Sequence, residues 1–463
     1  KYMTECLERQ AEERGIPFFD GYQAVRLLTE EEDGVKRAAG IIALNKRKAA
    51  SPDERYAVFS AVNVIWATGG EAGMYQASVY PVSQTGGMGI LLEAGAAAKN
   101  LTESQFGIAS VKHRWNLSGT FQQCLPRYLS ADQDGGNERE FLNDYFDTPR
   151  QLLTAVFLKG YQWPFDPRKV EAQGSSLIDL LVYQETVLKG RRVYLDFMHN
   201  PSALMEDGHV TFRYLAGEAR EYLENSKALL DTPYKRLKHM NPSAIEVYSS
   251  HHIDLSGEYL EIAVCAQHNN GGIGGNQWWE SNIRHLFTVG EVNGSHGIYR
   301  PGGSALNAGQ VGAIRASQYI VKRYMGEPCQ REQFLSAHMK EVEEETAFGE
   351  LALQSTQDCL TDVAGQLRLL GIRMTKYGAC IRSGEGIGTA LEENRRQREQ
   401  LERKVRIKGP EALKELYKLK HLLISQFVYL EAMKDYDARV GVSRGSCLVY
   451  NPEGQIPNPH LDE

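Results

Sequence analysis

The sequence predicts an α/β fold in which one α/β domain is split by an inserted α+β domain and followed by a helical domain. Glycine-rich regions with short apolar strands occupy residues 1–105 and 255–325, on either side of the insertion. Residues 106–254 are richer in aromatic and charged side chains, and residues 326–463 have helical periodicity with i,i+4 charge pairs. The 463 residues exceed what one compact core holds, so several domains are expected.

The first region predicts a helix, a hairpin, a buried strand and a second helix. Residues 2–15 have helical charge spacing and end at a glycine. Residues 24–45 predict a β ribbon that turns at an Asp-Gly pair. Residues 56–70 form an apolar, β-rich run that predicts a buried strand of an α/β sheet. Residues 85–98 predict a glycine turn that leads into a helix.

Composition and charge exclude several classes of protein. Apolar residues make up 42% and charged residues 24%, and the net charge of −7 comes without a basic stripe, so no nucleic-acid binding is expected. No apolar run reaches the roughly 18 residues that span a bilayer, so no direct membrane span is expected. Seven scattered cysteines without a C-x-x-C pair predict a reduced, cytoplasmic protein that holds neither zinc nor an iron–sulfur cluster.

Two glycine segments of the first region have the composition of a ligand site. VIWATGG (64–70) ends in paired glycines, which let the backbone approach a ligand at the carboxyl edge of a parallel sheet. A plain strand-to-loop turn is the alternative. QTGGMGILLEAGA (84–96) leads into a helix whose free N–H groups favour phosphate or another anion. The candidate contacts are Ala67, Thr68, Gly69, Gly70, Thr85, Gly86 and Gly89.

The order of the motifs resembles one family. A-T-G-G and T-G-G-M-G are followed by E-S-Q-F (103–106), Y-L-D (194–196), Q-H-N-N-G-G-I-G-G (267–275) and L-F-T-V-G-E-V-N-G-S-H-G-I-Y-R-P-G-G-S-A-L (286–306). This set is similar to the flavoprotein subunits of succinate dehydrogenase and fumarate reductase and to related enzymes such as L-aspartate oxidase. The resemblance spans nearly the whole chain. It implies a Rossmann-like FAD-binding domain, an inserted capping domain, and hydride transfer between FAD and a small organic acid.

The glycine-dense block has a physical logic beside that resemblance. A flavin ring is flat and has to be covered by backbone, so glycines are needed where side chains would collide with it. Glu291 follows a strand end and can accept hydrogen bonds from ribityl or ribose hydroxyls. Backbone N–H groups at the following helix start can stabilise negative charge at the pyrimidine end of the ring. The predicted cofactor contacts here are Gly290, Glu291, Gly303, Ser304, Ala305 and Leu306.

His268 and Arg300 are the candidate catalytic residues of this block. A histidine donor and the forked arginine cation can clamp a substrate carboxylate beside the flavin, and the resemblance implies the same two positions. The alternatives are a core histidine with a satisfied hydrogen bond and a buried ion pair. For His296, the sequence leaves both roles open, a contact with a ligand or a purely structural one.

The sequence departs from the family pattern first at the phosphate-binding fingerprint. No G-x-G-x-x-G run for the FAD pyrophosphate occurs in the sequence. GEGIGT (384–389) lies between predicted helices and is interpreted as a loop. The chain also starts without an initiator methionine, within a helix-like segment. The expectation is therefore an N-terminally incomplete, divergent member whose main phosphate site lies upstream of Lys1.

The family's proton-donating arginine is a second departure. The matching helix, residues 174–186, has Ser175, Ser176 and Asp179 where the arginine is expected. Arg168 precedes that place by about one helical turn.

The family's histidine and acid segments, which correspond to the start of the inserted region, are replaced as well. The polar residues offered instead are Lys112, His113, Arg114 and Arg127. Lys112 is interpreted as a solvated side chain, and Arg127, in an apolar context, is the candidate for an alternative substrate contact. In VGVSRGSCLVY (440–450), Cys447 stands at or beside a family histidine and is interpreted as a small buried apolar residue.

With His268 and Arg300 present and that arginine absent, the sequence disfavours succinate and fumarate as the substrate and favours a related flavin redox reaction on another carboxylated or electron-poor substrate. The alternative is a flavin-carrying electron-transfer or structural subunit of a larger redox complex. In that case electrons leave through an iron–sulfur or other electron-transfer partner.

Overall fold

The first region of the chain is a three-stranded antiparallel sheet preceded by a helix. The computed structural model describes residues 2–84, 86–354, 361–456, 458 and 461. The elements of this region are α1 (Tyr2–Glu13), β1 (Tyr22–Glu32), β2 (Val35–Asn45) and β3 (Tyr56–Ser60). Between β1 and β2, Asp33 and Gly34 have positive φ angles of 52° and 72°, as a tight hairpin requires. The predicted helix and ribbon are confirmed.

The predicted single buried strand over residues 56–70 is wrong. β3 ends at Ser60 and pairs antiparallel with β2, and a separate strand, β4 (Val64–Trp66), pairs in parallel with residues 286–288. Residues 61–63 therefore connect two different sheets, because β3 pairs with β2 whereas β4 pairs with residues 286–288. Ile65, in the middle of β4, is 50% exposed.

The middle of the chain forms a five-stranded antiparallel sheet among short helices. The helices are α2 (Met88–Glu93), α3 (Thr120–Gln123), α4 (Pro149–Lys159), α5 (Ser176–Tyr183), which continues as a π-helical turn (Gln184–Leu188), α6 (Gly217–Asn225), α7 (Pro233–Met240) and α8 (Pro242–Ser249). The strands are β5 (Ala98–Lys99), β6 (Ser104–Ser110), β7 (Trp115–Asn116), β8 (Arg127–Ala131), β9 (Arg192–Asp196), β10 (Met205–Glu206), β11 (His209–Val210), β12 (Leu260–Asn269) and β13 (Gly272–Ile273).

The sheet has the order β7-β6-β12-β9-β8. Every residue of β6 is buried, and its neighbour β12 is buried over its last six residues. β6 and β12 are paired although residues 111–259 separate them in the sequence, so the sheet joins two distant parts of the chain. The end of β12 and the start of β6 meet at one edge, where the glycine-rich segments also lie.

A small parallel sheet and a long helix follow. β14 (Leu286–Thr288) pairs with β4, and α9 (Ser304–Arg323) packs on them through a cluster that contains Phe287, Val289 and Ala316. Gly312 and Ala316 are the buried residues of α9. Several of its apolar side chains face solvent, and these are Leu306, Val311, Ile314 and Val321.

The C-terminal region is helical, as its periodicity predicts. Its elements are α10 (Arg331–Leu353), α11 (Val363–Tyr377), β15 (Ile381–Arg382), α12 (Gly384–Lys404), α13 (Leu413–Arg439) and β16 (Leu448–Val449). The interpretation of residues 384–389 as a loop is wrong. Ser383 caps a helix there by accepting a hydrogen bond from the Gly386 N–H at 3.1 Å, so these residues form the first turns of α12.

Among the described residues, none of the helices combines the length and the apolar character needed to span a bilayer.

Candidate active site

His268 lies at the end of β12, where the sheet register changes. The pairing between β12 and β6 shifts between Ala266 and His268, so Gln267 is an extra residue and His268 is set opposite Gln105. His268 is 5% exposed, and the Gln267 side chain donates to the Gly107 carbonyl at 3.0 Å. The irregular strand end places a buried imidazole at the edge of the sheet.

The hydrogen bonds around His268 determine its tautomer. The Asn270 amide nitrogen donates to the Ile298 carbonyl at 3.0 Å, so the Asn270 oxygen faces His268 Nδ1, 3.0 Å away. An amide oxygen only accepts, and Nδ1 therefore has to carry the proton. Nε2 is then an acceptor, buried and without a hydrogen-bond partner. The sequence-based expectation of a donor at this position does not hold for the neutral imidazole.

The surroundings of His268 keep it neutral. Burial, followed by the positive charge of Arg300 and the neighbouring His296, lowers the pKa of His268 to about 3. Nε2 lies 4.0 Å from a Glu291 oxygen, too far for a hydrogen bond. The His268 and His296 rings meet edge to face with centroids 4.7 Å apart. His296 Nε2 is also buried without a partner, which places His296 in the site.

Arg300 is held in place by Gln105, which lies in the E-S-Q-F motif (103–106) but is not one of the site residues that the motifs predict. Arg300 Nε donates to the Gln105 oxygen at 2.8 Å, and the Gln105 amide donates back to the Arg300 carbonyl at 3.2 Å. Arg300 is half-buried, and burial lowers its pKa. A guanidinium remains charged at all physiological pH values, so Arg300 is the cation of this site.

Glu291 lies on the other side of His268 and forms hydrogen bonds within the protein. One carboxylate oxygen accepts from the Tyr80 hydroxyl and from the Asn269 N–H at 2.7 Å. Burial raises the pKa of Glu291 to about 7, although the hydrogen bond from Tyr80 lowers it. Tyr80 is a further site residue that the motifs did not indicate.

The segment after β4 lies directly against Glu291. A Cβ atom on Gly70 would collide with the Glu291 carboxylate, and one on Gly69 would collide with the Gln84 side chain. Thr68 Oγ1 is buried without a hydrogen-bond partner, as is Trp66 Nε1 next to Ala67 in the same segment. Gly69 and Gly70 are therefore required for the close packing of this segment. Thr68 Oγ1 and Trp66 Nε1 remain available to a ligand.

The glycine loop before α2 does not offer the expected free N–H groups. Glu71 fills this position, since one of its oxygens accepts from the Gly87 N–H at 2.7 Å and from the Met88 N–H. A Cβ on Gly86 would lie 2.6 Å from the same carboxyl group, and a Cβ on Gly89 would collide with the His421 carbonyl of α13. Gly86 and Gly89 thus contact protein, and Thr85 lies outside the described residues.

The start of α9 is open. Gly290 and Gly303 have positive φ angles of 83° and 78°, and a Cβ atom on either would meet no atom within 4 Å. Ser304 begins the helix with its hydroxyl donating to the Pro301 carbonyl at 2.8 Å. Ala305 is partly buried and Leu306 is 67% exposed. This end of α9 has room for a ligand beside its N–H groups.

The structure does not bring Arg127 to His268 and Arg300. Arg127 pairs with Glu140 at 2.9 Å and with Asp196 at 3.3 Å. Asp196 lies beyond the first residue of β12, whereas His268 lies near its last, about 25 Å away at roughly 3.4 Å per residue. Arg127 belongs to an ion-pair cluster at the other end of the sheet.

Arg168 lies at the edge of the site, paired with Asp166 at 2.7 Å and stacked over the Tyr299 ring at 4.7 Å. Asp179 is tied to Lys159 in a buried ion pair between α5 and α4. Ser176 accepts a hydrogen bond from the Asp166 N–H at 3.0 Å, and Ser175 donates to Gln162 at 2.9 Å. These residues form scaffold contacts.

An α/β chain with buried, unpartnered polar atoms beside glycine-lined strand ends is typical of a cofactor-binding protein. A family model described as an FAD binding domain matches residues 1–306. The chain belongs to this family of FAD binding domains.

Two known proteins and one solved structure are similar to this chain. The chain is 24% identical over 330 residues to one of the subunits of the fumarate reductase (CoM/CoB) of Methanothermobacter marburgensis, covering 70% of this chain and 49% of that protein. It is 25% identical over 291 residues to L-aspartate oxidase 2 of Ralstonia nicotianae, covering 62% and 42%. A chain of the solved Sdh1 complex of Mycobacterium smegmatis in the apo form has the same fold, with a TM-score of 0.61 and 18% identity over 96% of this chain and 64% of that chain.

These matches confirm the family resemblance inferred from the motifs. The chain spans about half the length of the first two relatives.

The residues present fit FAD. The unpartnered buried atoms beside the glycines are the polar groups that a bound cofactor would satisfy, and they are Trp66 Nε1, Thr68 Oγ1 and Asn269 Oδ1. The open backbone at Gly290 and Gly303 gives a flat ring room to lie against it.

Proposed function

We propose that the protein is part of an FAD-dependent oxidoreductase that acts on a small carboxylated substrate, with Arg300 and His268 binding the substrate. The observation that carries this proposal is the meeting of an arginine cation and two buried, unpartnered imidazole nitrogens beside glycine-lined backbone. Bound FAD would supply the acceptor or donor of a hydride. The residues described below bind, orient and exchange protons.

Arg300 acts as the carboxylate anchor in this proposal. Its Nε is fixed by Gln105, and within the described part of the chain its Nη2 makes no hydrogen bond. A guanidinium with one edge fixed loses little further freedom on binding a carboxylate. Burial strengthens the attraction, because few water molecules remain to screen it.

His268 acts as a proton acceptor at Nε2. Since Nδ1–H donates to Asn270, the neutral ring offers a lone pair to the space beside Arg300 and Glu291. An anion beside this ring raises its pKa, so a bound carboxylate favours proton uptake by His268. His296 lines the same space.

We propose that FAD is contacted by residues 67–70, which follow β4, and by the glycine-rich residues 290–306. Glu291 and the backbone at Gly290 and Gly303 hold the flavin and ribityl end, and the N–H groups of Ser304, Ala305 and Leu306 face the ring. Ala67, Thr68, Gly69 and Gly70 approach it from β4. This choice is supported by the open space at α9 and the unpartnered atoms at β4.

The domain division is part of the same proposal. Residues 1–105 and 255–325 form the FAD-binding domain, residues 106–254 the capping domain, and residues 326–463 the helical domain. The parallel pairing of β4 with β14 across the insertion supports a split domain. A cytoplasmic location stays a prediction that rests on the cysteine pattern.

The test is flavin content and turnover of the protein produced from its complete coding region. Arg300→Ala is expected to keep the flavin and to raise the KM for a carboxylate at least tenfold, with fumarate and crotonate as the probes. Arg213→Ala is the control, because Arg213 is exposed and pairs with Glu206. A colourless protein in excess FAD, or an unchanged KM in Arg300→Ala, would overturn the proposal.

A flavin-carrying electron-transfer or structural subunit is the second candidate. It is favoured by the positions of Arg127 and Lys159, whose positive charges are bound in ion pairs with Glu140 and Asp179, so that neither offers a second free cation to a dicarboxylate. The partner would be an iron–sulfur or other electron-transfer protein. Stable co-purification with such a protein, without turnover of either probe, would support this candidate, and turnover by the chain alone would exclude it.

A further inference from the structure

Two buried cysteines lie side by side where β15 meets β16. The strands pair in parallel with Ile381 opposite Leu448, and Cys380 and Cys447 directly precede this pair. The Leu448 N–H donates to the Cys380 carbonyl at 2.7 Å. Neighbouring positions on paired strands are about 5 Å apart, within the roughly 4.4–6.8 Å between Cα atoms that a disulfide spans. Both thiols are free, at 1% and 6% exposure.

A buried cation lies beside this pair. Arg382 is 5% exposed and donates to the Ala379 carbonyl at 2.9 Å and the Thr102 carbonyl at 2.7 Å. Its Nη2 is buried without a hydrogen bond, and within the described residues it forms no salt bridge. Its charge acts on the thiols of both Cys380 and Cys447. A buried cation without an anionic partner is costly, so a transient thiolate beside it would be stabilised.

Cys447 ends a segment, residues 443–447, that packs against the wall of the candidate active site. Arg444 pairs with Glu103 at 2.7 Å, and the Gly445 N–H donates to the Tyr299 hydroxyl at 3.1 Å. The Ser446 hydroxyl accepts from the Phe106 N–H at 3.0 Å. Glu103 and Phe106 lie two positions before and one position after Gln105, the residue that fixes Arg300. A covalent bond at Cys447 would therefore hold this segment against the residues that position Arg300.

We propose that Cys380 and Cys447 form a reversible disulfide site that fastens residues 443–447 to the active-site wall. The oxidant is a small uncharged hydroperoxide, which can enter a buried site. One thiolate attacks the peroxide oxygen, giving a sulfenic acid and releasing water or an alcohol. The second thiol attacks that sulfur, so that the S–S bond forms and water leaves. The peroxide gains two electrons from the two thiols, and a dithiol reductant reverses the reaction.

The pKa values of the two thiols determine how fast the disulfide forms. Burial raises the pKa of both thiols. Asp179 and the neighbouring Cys447 raise the pKa of Cys380 further, and Glu103 and Asp437 do so for Cys447. Arg382 lowers the pKa of both thiols, and Arg444 lowers that of Cys447. Because the thiolate is the reacting form, oxidation is slow at neutral pH and speeds up as the pH rises towards 9. The site is independent of the proposed oxidoreductase function, so it can be tested without FAD.

The experiment treats the folded chain with millimolar hydrogen peroxide, blocks free thiols under denaturing conditions, and maps disulfides by mass spectrometry without reduction. The expected result is a peptide that links Cys380 to Cys447 and that dithiothreitol separates. Cys329→Ser is the matched control, because Cys329 is exposed and outside the pair. Cys447→Ser and the more apolar Cys447→Ala should both abolish the link, which keeps the test valid if one of them folds poorly.

Hydrogen exchange tests the fastening itself. In the oxidised protein the amides of Phe106 and Leu448 should exchange at least threefold more slowly than in the reduced protein. The proposal is overturned if both thiols remain available for blocking after Cys329 has been oxidised. It is also overturned if the link forms while these exchange rates stay the same.

Discussion

At the scale of single residues, one amide determines what His268 can do. Asn270 is oriented by the Ile298 carbonyl, and this orientation places the proton of His268 on Nδ1. The other ring nitrogen is then an acceptor next to Arg300. A histidine motif in a sequence is compatible with either tautomer, so the tautomer of His268 follows from Asn270 and not from the histidine itself.

Asn270→Asp should raise the pKa of His268 above its value of about 3, because a carboxylate 3.0 Å from Nδ1 favours the protonated ring. Nitrogen chemical shifts of the imidazole, followed over pH, measure both tautomer and pKa. The wild-type ring should show the Nδ1–H tautomer from about pH 5 to pH 8. An Nε2–H tautomer in that range would contradict the account, and Asn276→Asp serves as the control substitution.

Residues that position the site through distant contacts could not be predicted. Gln105 is 195 positions from Arg300, and Tyr80 is 211 positions from Glu291. His268, Arg300 and Glu291 stand out because their glycine-rich surroundings form recognisable motifs, and the structure places these three together. Tyr80 lies outside the recognisable motifs, and Gln105 lies in the E-S-Q-F motif (103–106), which carries no sign of its contact with Arg300. Both contacts become visible only once the sheet is assembled.

At the scale of elements, α2 has a carboxylate from its own chain at its N-terminus. The Glu71 side chain accepts from the Gly87 and Met88 N–H groups. Burial raises the pKa of Glu71 to about 7, although these hydrogen bonds lower it. A glycine loop before a helix therefore does not imply a phosphate site, because a nearby buried acid can occupy the same groups.

Glu71→Gln should stabilise the protein at alkaline pH. A carboxyl whose pKa rises from 4.5 unfolded to about 7 folded contributes stability that is full below pH 4.5 and is lost as the pH rises through 7. The loss amounts to about 3 kcal/mol, and a neutral glutamine that keeps the acceptor oxygen avoids it. Urea unfolding at pH 5 and pH 8 measures the difference, with the exposed Glu54→Gln as control. Equal pH dependence in wild type and Glu71→Gln would contradict this interpretation.

Gly89→Ala and Gly388→Ala should have opposite effects. A Cβ on Gly89 would collide with the His421 carbonyl, which pushes α2 away from α13 and costs about 1–3 kcal/mol. A Cβ on Gly388, within α12, meets no atom within 4 Å and should stabilise the helix by roughly 0.4–1 kcal/mol. Thermal unfolding of both variants tests the α2–α13 contact, and an undisturbed melting temperature in Gly89→Ala would contradict it.

The elements that local chemistry determines could be predicted, and those that depend on distant partners could not. The Asp33-Gly34 hairpin follows from turn chemistry alone. The division between β3 and β4 depends on residues 286–288, more than 200 positions away, and the apolar run itself contains no signal for it. The start of α12 had a local signal, the Ser383 cap, which outweighs the glycines that follow.

At the scale of the whole molecule, α1 and α9 are among the helices that present apolar side chains to solvent. α1 has no buried residue, and Tyr2 and Leu7 are exposed on it. α9 exposes Ile314 and Val321. Exposed apolar surface of this kind is a site of association with other protein surfaces.

The isolated 463-residue chain should therefore self-associate and bind an apolar dye. Ile314→Glu combined with Val321→Glu should reduce both effects without lowering the melting temperature, because exposed side chains contribute little to stability. Sedimentation at several protein concentrations and dye fluorescence measure the outcome. A dye-free monomer at every concentration would contradict the expectation.

The central claim is that a carboxylate binds at Arg300 beside a flavin. The direct measurement is the flavin absorbance spectrum of the protein from the complete coding region, titrated with fumarate or crotonate. A saturable spectral change in the wild type, lost in Arg300→Ala at unchanged flavin content, is the predicted result. A flavin spectrum that neither acid perturbs, or that Arg300→Ala leaves equally responsive, would contradict it.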